Sequence, residues 1–324
     1  ILSSKKKFIA VQAPTGFGKS ASIIGSMVAS NGRSIVVTQT KQLGEQYYSD
    51  FNTPLGLAVV KGRNNFICAI KPDRTVDRAP CQAGFNCMNK RVEGSCDYYD
   101  QKRIAVRSSI VAMNIQYFLF ATNYTEDFQN THLLCIDEAH KLEGSLLQFI
   151  EVRFNKKRFN REKLTVPIVP TFMTISEWIE DIIPKLSVEY TSIAEALQQD
   201  PQNPLAIDRG ILIKGLLDSC VRYTDLVDDS WIIEQDNDNI ICKPIWTKKY
   251  ARSFIFDHAD KIILVSATLP NKVMDTVGIT DYEYINIPSS FDPVLRPIVW
   301  IPAANLARSA KDPLLEMKKL IATT

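Results

Sequence analysis

Apolar residues along this chain come in short runs separated by longer amphipathic stretches. Phe8-Ile9-Ala10-Val11 reads as a strand that enters a glycine-containing loop. After Ser20, the residues Ile23, Ile24, Met27 and Val28 recur at helical spacing. Asn31-Gly32 ends that helix, since both residues tolerate the left-handed conformation common at a helix terminus. Ser34 to Thr38 reads as a strand, Gln42 to Phe51 as a helix and Gly56 to Val60 as a strand. The same alternation returns at Ser109 to Met113, with a helix from Ile115 to Ala121 and a strand from Leu133 to Ile136 that runs into Asp137. A last apolar strand, Ile262 to Val265, closes at Ser266-Ala267-Thr268. Strands alternating with helices predict an α/β fold with a parallel sheet covered on both faces.

Two stretches interrupt the alternation. From Gly62 to about Gln101 periodicity fails, and cysteines, Pro72, Pro80, Gly84 and Gly94 dominate. A loop that long inside a compact domain is functional or is held by something other than a core. From 144 to 230 the pattern is helical, with apolar residues three and four apart over Ile175 to Ile183, Ile193 to Leu197 and Leu205 to Val227. Trp231-Ile232-Ile233 and Ile240-Ile241-Cys242, split by Asp236 to Asn239, predict a hairpin. The expected organisation is therefore one α/β lobe, residues 1–60, 104–143 and 231–324, carrying an irregular insertion at 61–103 and a helical one at 144–230.

Composition adds little to this picture, and local charge adds more. With 324 residues, 45% apolar and 23% charged, the chain is an ordinary globular protein of two or three folding units. No run of about 18 uninterrupted apolar residues occurs, and the N-terminal residues do not form a secretory signal, so no membrane partner and an intracellular setting are expected. The net charge of +2 does not argue for nucleic acid. Residues 61–107, however, hold ten Lys/Arg against five acids, and Phe66, Phe85, Tyr98 and Tyr99 are interleaved with them. Basic groups grip phosphates and aromatic faces stack bases, so the mixture suits a single strand. On this feature alone a solvated basic loop with aromatics packed beneath it comes first.

The candidate chemistry lies at the strand ends. Ala13-Pro14-Thr15-Gly16-Phe17-Gly18-Lys19-Ser20 fits the phosphate-binding loop, with Ala in place of its first Gly. Its N–H groups and the following helix N-terminus would face phosphates. Lys19 would reach the β- and γ-phosphates, and Ser20 would offer a hydroxyl to Mg²⁺. Asp137-Glu138 ends a buried strand, at the sheet edge where ligands bind in such folds. Asp137 would hold Mg²⁺ through water, and Glu138 would orient the attacking water and take its proton. ATP and Mg²⁺ are thus the expected ligands.

Of seven cysteines, Cys135, Cys220 and Cys242 sit singly in apolar runs and read as core. Cys68, Cys81, Cys87 and Cys96 cluster, with twelve, five and eight residues between them. Structural zinc sites contain close pairs, and these spacings have none. Four thiolates on an irregular loop suit an iron–sulfur cluster, although the spacing is not that of ferredoxins. Zinc ranks next, and unliganded thiols last.

Taken together, these parts resemble the iron–sulfur-containing superfamily 2 helicases of the XPD and DinG type. The resemblance rests on the phosphate loop, Thr38 to Leu43, Lys61 to Cys68, Cys96 to Tyr99, Ala112 to Tyr117, Asp137 to His140, Ser266 to Leu269 and Ser289 to Pro293. It implies a P-loop (RecA-like) motor lobe, a [4Fe–4S] cluster on the four cysteines, and a helical arch at 144–230. It further implies 5′-to-3′ movement on single-stranded DNA or a forked duplex, in DNA repair, in the cytoplasm of a bacterium or virus or the nucleus of a eukaryote. By the same match Thr38, Thr40 and Asn114 are strand contacts, while His140 and Ser266 to Thr268 couple nucleotide to strand. Arg63, Tyr98 and Tyr99 are added for their place beside the cysteines. The family's second motor lobe and its upstream adenine-recognising segment have no counterpart, so a fragment of a longer helicase, weak or inactive alone, is expected. A non-motor, metal-stabilised nucleic-acid binder and an RNA helicase are the rival readings.

Overall fold

The computed structural model describes residues 2–125, 127–289, 312, 314–315 and 317–318. The chain forms two compact units, Ile1–Ile287 and Pro288–Thr324. Apart from Ser289, the motif expected at Ser289 to Pro293 lies outside the described residues.

The first unit is built on a seven-stranded sheet of β1 (Phe8–Gln12), β2 (Arg33–Thr38), β3 (Ala58–Val60), β4 (Ile110–Asn114), β5 (Thr131–Asp137), β9 (Ala259–Ser266) and β10 (Tyr282–Asn286). Their spatial order is β10-β1-β9-β5-β2-β4-β3, and every pair is parallel. This is the α/β fold with a parallel sheet that the alternating pattern predicts. Strand residues alternate between two cores, as a period of two requires. Ile35, Val37, Val111 and Met113 face one core. Ile9, Val11, Val36 and Ala112 face the other, against Ile23, Ile24 and Met27 of α1 (Lys19–Val28) and Tyr47 of α2 (Lys41–Leu55). Edge strand β10 went unread in the sequence, because both its faces are half exposed and its apolar signal is weak.

Parallel register fixes where the chemistry collects. Thr38 stands opposite Asn114, Gln12 opposite Ser266, and Asp137 opposite Val265. The carboxyl ends of β1, β2, β4, β5 and β9 therefore meet along one edge, the edge at which such sheets bind ligands.

The irregular stretch is more ordered than its composition suggests. Four short 3-10 turns, at Arg63–Asn65, Val76–Arg78, Pro80–Gln82 and Met88–Lys90, lead into α3 (Asp97–Arg107). α3 is polar and buries only Tyr98 and Ala105, so no apolar period announces it. It leads into β4, which is followed by α4 (Ile115–Tyr124), and β5 by α5 (Leu142–Ile150). Next come β6 (Val152–Asn155), α6 (Lys156–Arg161), and the long pair α7 (Phe172–Gln199) and α8 (Pro204–Leu226). The two helical patterns expected at Ile175–Ile183 and Ile193–Leu197 are one helix. It runs through Pro184, which removes one backbone donor but sits between Ile182 and Leu186, both buried. The expected hairpin forms as β7 (Ile232–Gln235) and β8 (Asn239–Lys243) and pairs antiparallel with β6, not with the parallel sheet. The first unit closes with α9 (Lys248–Phe254) before β9 and α10 (Asn271–Thr276) before β10. No helix among the described residues is long and apolar enough to cross a membrane.

Candidate nucleotide and strand-binding edge

The loop between β1 and α1 turns on Gly16 and Gly18, whose φ values of 82° and 87° lie in the left-handed region that disfavours side chains. Gly18 caps α1 without a side-chain bond, which leaves the first N–H groups of the helix pointing into the loop. The Ala13 N–H donates to the Ser266 carbonyl at 3.0 Å and ties the loop to β9. Lys19 curls inward, and its ammonium donates to the Ala13 and Pro14 carbonyls at 3.2 and 3.4 Å. Such a loop presents N–H groups and one cation to an anion of phosphate size.

Asp137 is buried, with 3% of its surface exposed. Its Oδ1 accepts the Glu138 N–H at 2.9 Å, and its Oδ2 accepts the Tyr47 hydroxyl at 3.0 Å. Burial raises its pKa above the ordinary carboxylate range, against the pull of Tyr47, of the Glu138 N–H and of the Lys19 charge. Burial, and then the Asp137 charge, push the Tyr47 phenol far above its usual range, so it stays protonated and donates. Tyr47 thus supports Asp137, one of the residues expected to hold Mg²⁺. Sequence reading missed it because Leu43, Tyr47 and Phe51 fall four apart and look like the apolar face of a helix.

Glu138 takes a left-handed φ of 54°, unusual for a residue with a side chain and common where function over-determines the backbone. The turn it makes brings His140 Nδ1 to 3.3 Å from Glu138 Oε2 and to 2.8 Å from Ser266 Oγ. Ser266 Oγ also accepts the Thr268 N–H at 3.3 Å. Gln12 Oε1 accepts the Leu269 N–H at 2.8 Å, a further link that had no signal in the sequence. The acidic pair and the Ser266–Thr268 segment therefore form one array of polar contacts through His140.

Further along the same edge lies a small cavity lined by Thr38, Thr40, Lys41, Lys61, Asn65 and Asn114, among others. Thr38 is fully buried, and its hydroxyl donates to the Thr40 carbonyl at 3.0 Å. Thr40 caps α2, accepting the Leu43 N–H at 3.3 Å, and Asn114 caps α4, accepting the Tyr117 N–H at 2.8 Å. All three expected strand contacts reach the cavity, and Lys41 and Lys61 add cations the sequence had not singled out. Arg63, Tyr98 and Tyr99 lie elsewhere. The Arg63 guanidinium sits 5.5 Å from both the Tyr98 and Phe120 ring centres. Tyr98 is buried, with its hydroxyl 3.4 Å from that of Tyr117, so it is a core residue here and not a stacking platform. Tyr99 is half buried, and burial pushes its phenol up to about 12.

The four clustered cysteines form no disulfide, Cys68 and Cys87 being buried and Cys81 and Cys96 partly so. Burial pushes the Cys81 thiol up, and Gln82 and Lys90 pull it down. Cys87 and Cys68 push it up again. The Tyr99 phenol feels Cys81 and Cys96 in the same way. The Lys71 N–H points to Cys68 Sγ at 3.4 Å. Among the described residues, no group of three or more His, Cys, Asp or Glu side chains is gathered as it would be around one metal ion. Four cysteines on one segment are the donor type that a thiolate-ligated cluster takes.

The family model for DEAD/DEAH box helicases matches residues 1–166. A probable ATP-dependent helicase of Methanocaldococcus jannaschii is 28% identical over 172 residues, which cover 44% of this chain and 26% of that protein. The chain therefore spans about a quarter of that relative's length. Among solved structures, an XPD helicase superposes with a TM-score of 0.61 at 18% identity, covering 86% of this chain and 58% of the other. A truncated XPD superposes with a TM-score of 0.58 at 17% identity, covering 87% of this chain and 95% of the other. At these identities the structural likeness establishes the fold.

Proposed function

The chain belongs to the DEAD/DEAH box helicase family, and on that premise we propose that it is an ATP-hydrolysing motor lobe that works on single-stranded DNA. The observation that carries the reading is the meeting of Lys19, Ser20, Asp137 and Glu138 on one sheet edge, with Tyr47 donating to Asp137. The loop N–H groups and Lys19 hold the phosphates. Ser20 and Asp137 hold Mg²⁺, which supplies neutralisation of the charge that builds on the transferred phosphoryl group. Glu138 orients the attacking water and accepts its proton, and His140 couples that carboxylate to Ser266.

In this reading residues 1–60, 104–143 and 231–324 form the motor lobe, 61–103 the cluster segment and 144–230 the arch. Thr40, Asn114, Lys41 and Lys61 grip the strand backbone, and the family resemblance supports 5′-to-3′ polarity. Cys68, Cys81, Cys87 and Cys96 would hold a [4Fe–4S] cluster, which braces the segment they sit on. The test is ATP turnover of the chain with and without single-stranded DNA, for the natural protein and for Lys19→Ala. Turnover or nucleotide binding that survives the change unaltered rejects the reading. Stimulation by RNA and not by DNA would reassign the strand.

A further inference from the structure

We infer that Tyr47 is a positioning residue for magnesium, holding the Asp137 carboxylate through one buried phenol; the inference rests on the nucleotide-site reading above. Its hydroxyl donates to Asp137 Oδ2 at 3.0 Å, and the phenol's one hydrogen is spent on that bond. Asp137 Oδ1 is meanwhile held by the Glu138 N–H at 2.9 Å, so one donor fixes each of its oxygens.

The phenol is placed for this by its helix. Thr40 caps α2 and sets its start, and Tyr47 lies two turns in, 1% exposed, with the Phe51 ring one turn further at 6.1 Å. A tyrosine kept for packing alone has no need to direct its hydroxyl at a buried carboxylate. Phenylalanine would fill the same space and leave Asp137 Oδ2 without this donor.

The experiment is a magnesium titration of binding of a fluorescent ADP analogue to the whole chain, for the natural protein, Tyr47→Phe, Asp137→Asn and the double variant. Tyr47→Phe is expected to raise the half-saturating Mg²⁺ concentration about tenfold, the lower end of what removing a supporting partner costs a metal site. Affinity for the analogue in EDTA should not change. Because Tyr47 acts through Asp137, the double variant should be no worse than Asp137→Asn. A Tyr47→Phe response to magnesium like that of the natural protein overturns the inference and leaves the nucleotide site standing. Fully additive effects in the double variant overturn the link through Asp137. Absence of binding by the natural protein with magnesium present rejects the nucleotide site itself, and the inference with it. Should Tyr47→Phe be too weakened to titrate, the rise in its melting temperature with ADP, compared with and without Mg²⁺, carries the same comparison.

Discussion

Around the phosphate loop Lys19, Asp137 and Ser266 stand at a helix start or a strand end, whereas none of the four clustered cysteines stands on a strand. Lys19 opens α1, Asp137 ends β5 and Ser266 ends β9. Parallel register brings them together, and few contacts beyond the sheet are needed. The cysteine segment is instead placed by contacts remote in sequence. The Arg74 guanidinium meets Asp208 of α8 at 2.5 and 3.0 Å. Gln202 donates to the Ile70 carbonyl at 2.6 Å, and the Asn86 N–H donates to Gln198 at 3.1 Å. A Cβ on Gly210 would stand 2.7 Å from Ala83 Cβ, and one on Gly84 would stand 2.7 Å from Ala194 Cβ. One site is held by a scaffold, the other by its neighbours and by whatever its thiols bind. The first should lose function without losing structure when a side chain is changed. The second should lose local structure first.

The sharpest test of that division is Glu138→Gln. It removes the base and alters no core contact, since Glu138 is about one-third exposed at the end of β5. DNA-stimulated ATP turnover should fall about 10²- to 10⁴-fold, measured by phosphate release. The melting temperature should stay within experimental scatter. A large drop in melting temperature would show that the edge depends on its side chains for structure, and the contrast would fail.

Glycines on the two sides give the next largest effect, with opposite causes. Gly210→Val drives a side chain into Ala83, where both a backbone carbonyl and a Cβ are in the way. Overpacking of this kind costs about 1–3 kcal/mol and should appear as a lowered denaturant midpoint. Gly18→Ala meets no atom within 4 Å, but its φ of 87° is strained for any side chain. Its stability cost should be about 1–2 kcal/mol, with nucleotide binding weakened as well. Equal loss of nucleotide affinity in both variants would erase the distinction between the two regions.

Removing the metal is the third test. If thiolate ligation braces the segment, oxidative loss of the cluster should expose residues 61–103 to protease while ADP affinity is kept, read by mass spectrometry of the fragments. Iron and sulfide analysis of anaerobically prepared protein checks the starting state. Zinc, or no metal, would remove the brace.

The same contrast explains what could be read from sequence. Most of the parallel strands, and the phosphate loop with its acidic partner, were legible because they depend on local period and on spacing within one strand-turn-helix unit. Tyr47 was not, since its role comes from a contact 90 positions away and its spacing is that of a core residue. The place of Tyr98 beside the cysteines suggests a strand contact, yet the residue is buried, with the Phe66 ring at 5.9 Å and the Tyr117 hydroxyl at 3.4 Å. The hairpin β7–β8 was legible as a hairpin, but its partner β6 is some 80 positions away and carries no pairing signal. Ala83 and Gly210 are ordinary residues in sequence, and only tertiary packing gives them a part.

The smallest expected effect concerns the Arg74–Asp208 pair, and its sign can be worked out. The bond to Arg74 holds the Asp208 carboxyl below the ordinary aspartate range. A carboxyl with a lowered folded-state value contributes stability above its unfolded value, about 3.9, and loses it as pH falls through the lowered value. Asp208 is 65% exposed, so solvent screens the pair and Arg74→Ala should cost about 0.2–1 kcal/mol. The difference between the natural chain and Arg74→Ala should be constant from about pH 8 to pH 5 and shrink below about pH 4. Hydrogen exchange of residues 66–86 in both proteins would follow it. A difference that persists undiminished into acid would mean that Arg74 acts through packing of its stem and not through the charge of Asp208.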